Sequence, residues 1–171
     1  VECALKVARV VGHRRDIDKP AVIVMENSFH GRTMAALSAT GSRKAQAGFE
    51  PLVSGFVRAP FGDLEAIRQI GKHDRSITAL MVEPIQGESG IRVPPAGYLA
   101  GLRAICDKHG WLLMFDEIQS GLCRTGRWYA HQHEGITPGN QVLDDCLLPW
   151  PEAGIAKDIG KGGVKFACRY V

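Results

Sequence analysis

The sequence has 171 residues, the length of one domain, with 45% apolar and 23% charged residues and a net charge of +3 at neutral pH. The basic residues are scattered, which argues against a nucleic-acid groove or a polybasic membrane patch. No apolar run approaches the roughly 20 residues of a membrane helix.

Cys3, Cys106, Cys123, Cys146 and Cys168 form no Cys-x-x-Cys pair. They read as reduced thiols, which points to a cytoplasmic compartment. Val1-Glu2-Cys3 leads straight into an amphipathic pattern with no initiator Met and no signal peptide, so the chain reads as a fragment.

Residues 2–12 carry Leu5, Ala8 and Val11 beside Ala4, Val7 and Val10, a helical stripe, and His13-Arg14-Arg15 places cations at its C-terminal end. Residues 21–25 are a short apolar run and predict a buried strand. It is followed by Glu26-Asn27-Ser28-Phe29-His30-Gly31-Arg32-Thr33. Phe29 there can stack on a flat ring and Arg32 can grip a carboxylate with its planar fork. Equally, Phe29 can be core and Arg32 a surface ion pair.

Residues 33–40 predict a short helix with Thr33 as N-cap. Residues 41–55 show little periodicity and predict a long loop, and 55–60 a short strand. Residues 63–73 predict an amphipathic helix with Leu64, Ile67 and Ile70 on one face. Residues 77–82 predict another buried strand, ending in the polar, glycine-bearing Glu83-Pro84-Ile85-Gln86-Gly87-Glu88-Ser89-Gly90. Pro94-Pro95 breaks the chain before a helix over 96–109, which Gly110 stops.

Residues 111–116 form the third buried-strand candidate, and its apolar run ends on Asp116-Glu117-Ile118-Gln119. A carboxylate at that position is partly desolvated and needs a cationic or hydrogen-bonding partner. A protonated ring nitrogen of a cofactor would serve; so would a solvated strand end that caps the next segment. After Gln119 a loop leads to a short helix near Gly135, and His131-x-His133 reads as a surface pair, because no third ligand sits at motif spacing.

Helix and strand alternate throughout, which predicts right-handed βαβ units, an α/β fold and a mainly parallel sheet flanked by helices. The polar clusters at 26–32, 83–90 and 116–119 then converge on the carboxyl edge, where open α/β sheets bind ligands.

Ser28-Phe29-His30-Gly31-Arg32-Thr33, Val82-Glu83-Pro84-Ile85-Gln86-Gly87-Glu88, and Phe115-Asp116-Glu117-Ile118-Gln119 with Arg124-Thr125-Gly126 together resemble the class III (subgroup II) aminotransferases, which are fold-type I pyridoxal-phosphate enzymes. Gly41-Ser42-Arg43-Lys44 and Gly48-Phe49-Glu50-Pro51-Leu52 lean toward the acetylornithine/succinylornithine branch. The resemblance implies that residues 1–138 are part of a large domain, and leaves 139–171 as an atypical tail.

It further implies an amino-group transfer from N-acetylornithine, or a related ω-amino donor, to 2-oxoglutarate through a pyridoxal 5'-phosphate Schiff base, in a cytoplasmic homodimer that binds neither nucleic acid nor membrane and holds no metal. Phe29 would stack on the pyridine ring and Arg32 would bind the substrate α-carboxylate. Asp116 would pair with the ring nitrogen and Gln119 would contact the ring 3'-oxygen, with Glu117 and Ile118 counted in the same cofactor-binding strand end. Glu88 resembles the acid that pairs with an arginine near the family's C-terminus. Residues 155–163 resemble the family's lysine segment, which would make Lys157 the Schiff-base lysine; the alternative is that Lys157 is one solvated lysine among several.

The family's phosphate-binding turn falls before residue 1. This leaves open a second reading, an inactive fragment that only binds or self-associates, and a third, a generic α/β ligand-binding domain.

Overall fold

The structure, a computed structural model, describes residues 1–142. Its strands are β1 (Ala21–Met25), β2 (Phe56–Ala59), β3 (Ile77–Val82), β4 (Leu112–Asp116) and β5 (Asn140–Val142). They form one sheet in the order β2-β1-β3-β4-β5, and every neighbouring pair is parallel. The strand ends Met25, Val82 and Asp116 therefore lie on one edge, as the alternating pattern predicts.

The helices are α1 (Glu2–His13), α2 (Met34–Ala39), α3 (Arg43–Gln46), α4 (Leu64–His73) and α5 (Tyr98–His109), with a 3-10 turn at Ala130–Glu134. No helix among the described residues is long and apolar enough to cross a membrane.

All of β1 and all of β3 are buried, because helices cover both faces of the sheet. Successive side chains alternate between those faces. Ile23, Met25, Leu80, Val82, Leu113 and Phe115 pack with Ile67, Leu99, Leu102 and Ile105 of α4 and α5. Val22, Val24, Ala79, Met81 and Met114 pack with Ala4, Leu5 and Ala8 of α1 and Ala39 of α2. Each large side chain so buried contributes roughly 1.5–3 kcal/mol of transfer free energy.

Three details differ from the sequence reading. Thr33 occupies the N-cap position of α2, yet its side chain makes no cap bond. The cap is Glu2 of α1, whose carboxylate accepts the Thr33 hydroxyl and the N–H groups of Ala35 (3.2 Å) and Ala36 (3.1 Å). Burial pushes Glu2 up, but those three donors outweigh it and hold its carboxyl below the usual range.

The 41–55 stretch is not structureless: Ser42 accepts from Ala45 N–H and starts α3. Finally, the sequence pattern shows no strand after residue 138, and β5 forms there against β4, pairing Val142 with Asp116.

Candidate active site

The loop that leaves β1 is clamped onto the end of α2. Asn27 turns the chain with φ 59°, a left-handed conformation that Asn tolerates. Gly41 N–H donates to both the carbonyl (2.8 Å) and the hydroxyl (3.1 Å) of Ser28, and His30 N–H donates to the Thr40 hydroxyl at 3.0 Å. A Cβ on Gly41 would lie 2.5 Å from the Asn27 nitrogen and 2.6 Å from the Met25 carbonyl oxygen, so glycine is required for this approach. The clamp presents a half-buried Phe29, with the Arg32 guanidinium 5.2 Å from its ring centroid.

Asp116 closes β4 and is 3% exposed. Its Oδ2 lies 2.8 Å from His30 Nδ1, and among the described residues its Oδ1 accepts only a long bond, 3.3 Å, from Ile118 N–H. His30 is 3% exposed, and its Nε2 has no polar partner among the described residues. One side of the carboxylate is thus held from behind while the other retains acceptor capacity.

Sequence reasoning did not single out His30. Its signal was its place between Phe29 and Arg32 at a strand end, next to an acid that needed a partner.

Glu117 follows the strand alternation to the opposite face. It is 1% exposed, and its carboxylate accepts four bonds: from the Ser120 hydroxyl (2.6 Å), Ala130 N–H (3.0 Å), His131 N–H (3.1 Å) and the His131 ring (3.0 Å). His131 stacks between Phe115, 5.7 Å away, and Tyr129, 5.5 Å away. The two histidines of His131-x-His133 are therefore not a surface pair: His131 is buried, and only His133 is exposed, bonded to the Thr125 carbonyl at 2.9 Å. Glu117 serves as the latch of the 117–134 loop.

Ile118 is half-buried against the α1 face, and Gln119 is exposed. A Cβ on Gly87 would sit 3.3 Å from Gln119 Cγ, so the loops after β3 and β4 meet there. Glu88 is exposed on the 87–90 turn, and Lys157 lies outside the described residues. The recesses of about 160 Å³ and 240 Å³ are elsewhere: the first includes Arg15 and Trp111 at the opposite sheet edge, the second runs between α4 and α5.

The strand-end residues fit a flat, cationic heterocycle. The unfilled acceptor capacity of the buried Asp116 suits a ring N–H, and the half-buried Phe29 offers a face for stacking.

The sequence model described as aminotransferase class-III matches residues 1–141. An acetylornithine aminotransferase of Nitrosomonas europaea is 52% identical over 167 residues, 98% of this chain and 39% of the relative. One from Myxococcus xanthus is 50% identical over 176 residues, 96% of this chain and 43% of the relative. The chain thus spans about two-fifths of the length of these relatives. The crystal structure of ornithine aminotransferase from Toxoplasma gondii superimposes with a TM-score of 0.80 at 39% identity, covering 83% of this chain and 34% of that one.

Proposed function

The chain belongs to the class-III aminotransferases, which are pyridoxal-phosphate enzymes, and on that premise we propose that it forms the cofactor-facing part of an enzyme that moves an amino group from N-acetylornithine, or a related ω-amino donor, to 2-oxoglutarate. The observation that carries the proposal is the buried Asp116–His30 pair on the carboxyl edge of a parallel sheet, beside Phe29 and Arg32. The names of the relatives support the choice of donor.

Bound at this edge, pyridoxal 5'-phosphate supplies an electron sink for a substrate carbanion. The residues do the rest. Asp116 keeps a proton on the ring nitrogen, because a nearby anion favours the cationic form. His30 holds the far oxygen of Asp116 and so aims the near one. Phe29 would cover a ring face, and Gln119 would contact the 3'-oxygen. Arg32 leaves its place over Phe29 to grip the substrate α-carboxylate.

Glu88 meets an arginine of the intact protein. Glu117 fixes the loop that carries Ile118 and Gln119. Lys157, in the 139–171 segment beyond the large-domain portion 1–138, would be the nucleophile and proton shuttle.

The proposal includes a cytoplasmic homodimer acting in arginine metabolism. The exposed apolar Met34, Ile91, Val93 and Trp128 support burial against further polypeptide. Incubating the intact protein with 2-oxoglutarate and either N-acetylornithine, ornithine or 4-aminobutyrate tests the function. Glutamate should form fastest with N-acetylornithine and stop when the cofactor is stripped. No glutamate from any of the three donors would refute the reading.

A further inference from the structure

One buried acid at this edge has no part in the mechanism above. Glu83 directly follows β3 and is 3% exposed. Its Oε2 accepts the Phe29 N–H at 3.0 Å, and the nearby Gly87 N–H favours its ionised form. Phe29 belongs to the loop after β1, and Gly87 to the turn after β3 that meets Gln119. One carboxylate thus joins the residue that would cover the ring to the turn that abuts the β4 end.

Among the described residues two titratable groups face Glu83, His30 from the β1 loop and Asp116 from β4, and these two already bond each other. We propose that Glu83 is a positioning residue for the cofactor ring, holding Phe29 and Gly87 in register with Asp116, and that it gives up a proton when a cationic ring nitrogen arrives at Asp116. The proposal rests on the reading of this edge as a pyridoxal-phosphate site.

The proton balance follows from the environment. Burial is the largest influence and pushes Glu83 up to about 7; His30 and the Phe29 and Gly87 N–H groups oppose it, and Asp116 adds to it. A ligand cation beside Asp116 offsets that last repulsion, so the ionised Glu83 becomes favoured. Once ionised, it accepts the Phe29 N–H more strongly, since charge-assisted bonds are the stronger kind. The proton leaves to solvent, and no other bond changes. Ligand affinity should then rise with pH up to about 7 and level off above it.

The probe is pyridoxamine 5'-phosphate, which has no aldehyde with which to join a lysine, added to the cofactor-stripped intact protein. Its dissociation constant is measured between pH 6 and 8. Proton release is measured at pH 7 by calorimetry in two buffers of different ionisation enthalpy. Glu83→Gln keeps the shape and one acceptor but cannot titrate, and the ligand's own ionisations are common to both proteins.

Because Glu83 ionises more readily in the complex, the wild-type Kd should fall several-fold more than that of Glu83→Gln across this range. The wild type should also release more protons at pH 7. Glu83→Ala should bind more than tenfold more weakly at every pH, with a helical signal equal to that of Glu83→Gln. Equal pH slopes and equal proton release, or tight binding by Glu83→Ala, would overturn this proposal while leaving the site reading intact. Failure of the wild type to bind the probe at all would overturn both.

Discussion

Glu117→Ala tests the loop latch by removing the one acceptor that four donors share. The Ser120 hydroxyl, two backbone N–H groups and the His131 ring would all lose their partner at a position where the carboxylate is 1% exposed. Each stranded buried donor costs about 1–3 kcal/mol, and removing one member of a buried charged network costs about 3–5 kcal/mol in all, since partial relaxation admits water. We expect about 4 kcal/mol for Glu117→Ala, and about 2 kcal/mol for Glu117→Gln, whose amide retains one acceptor oxygen. At a few degrees per kcal/mol for a chain of this size, Tm should fall about 10 °C for the alanine variant. The assay is thermal and urea unfolding followed by circular dichroism, with amide exchange at Ala130 and His131 as the local readout. A Glu117→Ala variant within about 0.5 kcal/mol of wild type, with both amides still protected, would refute the latch.

Asp116→Asn in the intact enzyme should lower kcat at least about a hundredfold, ~2.7 kcal/mol of barrier, with a smaller change in KM; steady-state kinetics checks it. Gly41→Ala forces a Cβ against the backbone of residues 25–28 and should cost more than about 2 kcal/mol in urea unfolding, because overpacking against main chain cannot relax by a rotamer change. The folded protein holds the Glu83 proton to about 7, while the unfolded chain releases it near 4.5. The folded state therefore binds more protons between those values, and raising pH through this window favours unfolding. Glu83→Gln should remove a fall on the order of 3 kcal/mol from the stability profile between pH 4.5 and 7, measured by urea midpoints.

What the sequence made legible follows the range of the interactions concerned. β1 and β3 match the predicted runs at both ends because strands covered on two faces must be apolar throughout. The end of α5 was equally plain, since Gly110 adopts φ 68° as a helix-stopping glycine does. Its start was not: Gly97, with φ 77°, delays the helix to Tyr98. β5 was hidden because Asn140-Gln141-Val142 has no apolar run and, among the described residues, pairs on one side.

The long-range partners were the least visible. Glu2 caps a helix more than 30 residues away, and His131 is buried only because Glu117, fourteen positions earlier, gives its ring and backbone an acceptor. At the site itself, Asp116 was legible as an acid at the end of an apolar run. The identity of its partner, His30, needed the parallel pairing of three strands to bring residues 86 positions apart together.

The strand order also governs how the molecule must assemble. Among the described residues no two neighbouring strands are joined by a hairpin; β1 meets β2 only after some 30 intervening residues and meets β3 only after some 50. During synthesis the run Val22-Ile23-Val24-Met25 therefore emerges long before the strand that will flank it on the β3 side. Loop closure must be met before any pairing compensates it, so nucleation should be slow for the chain length. In that interval the run is an exposed, uncharged β-former, the kind of segment through which nascent chains associate. The clamp of Gly41 onto Ser28 is local and can form early, which ties off one end of that run before its neighbours arrive.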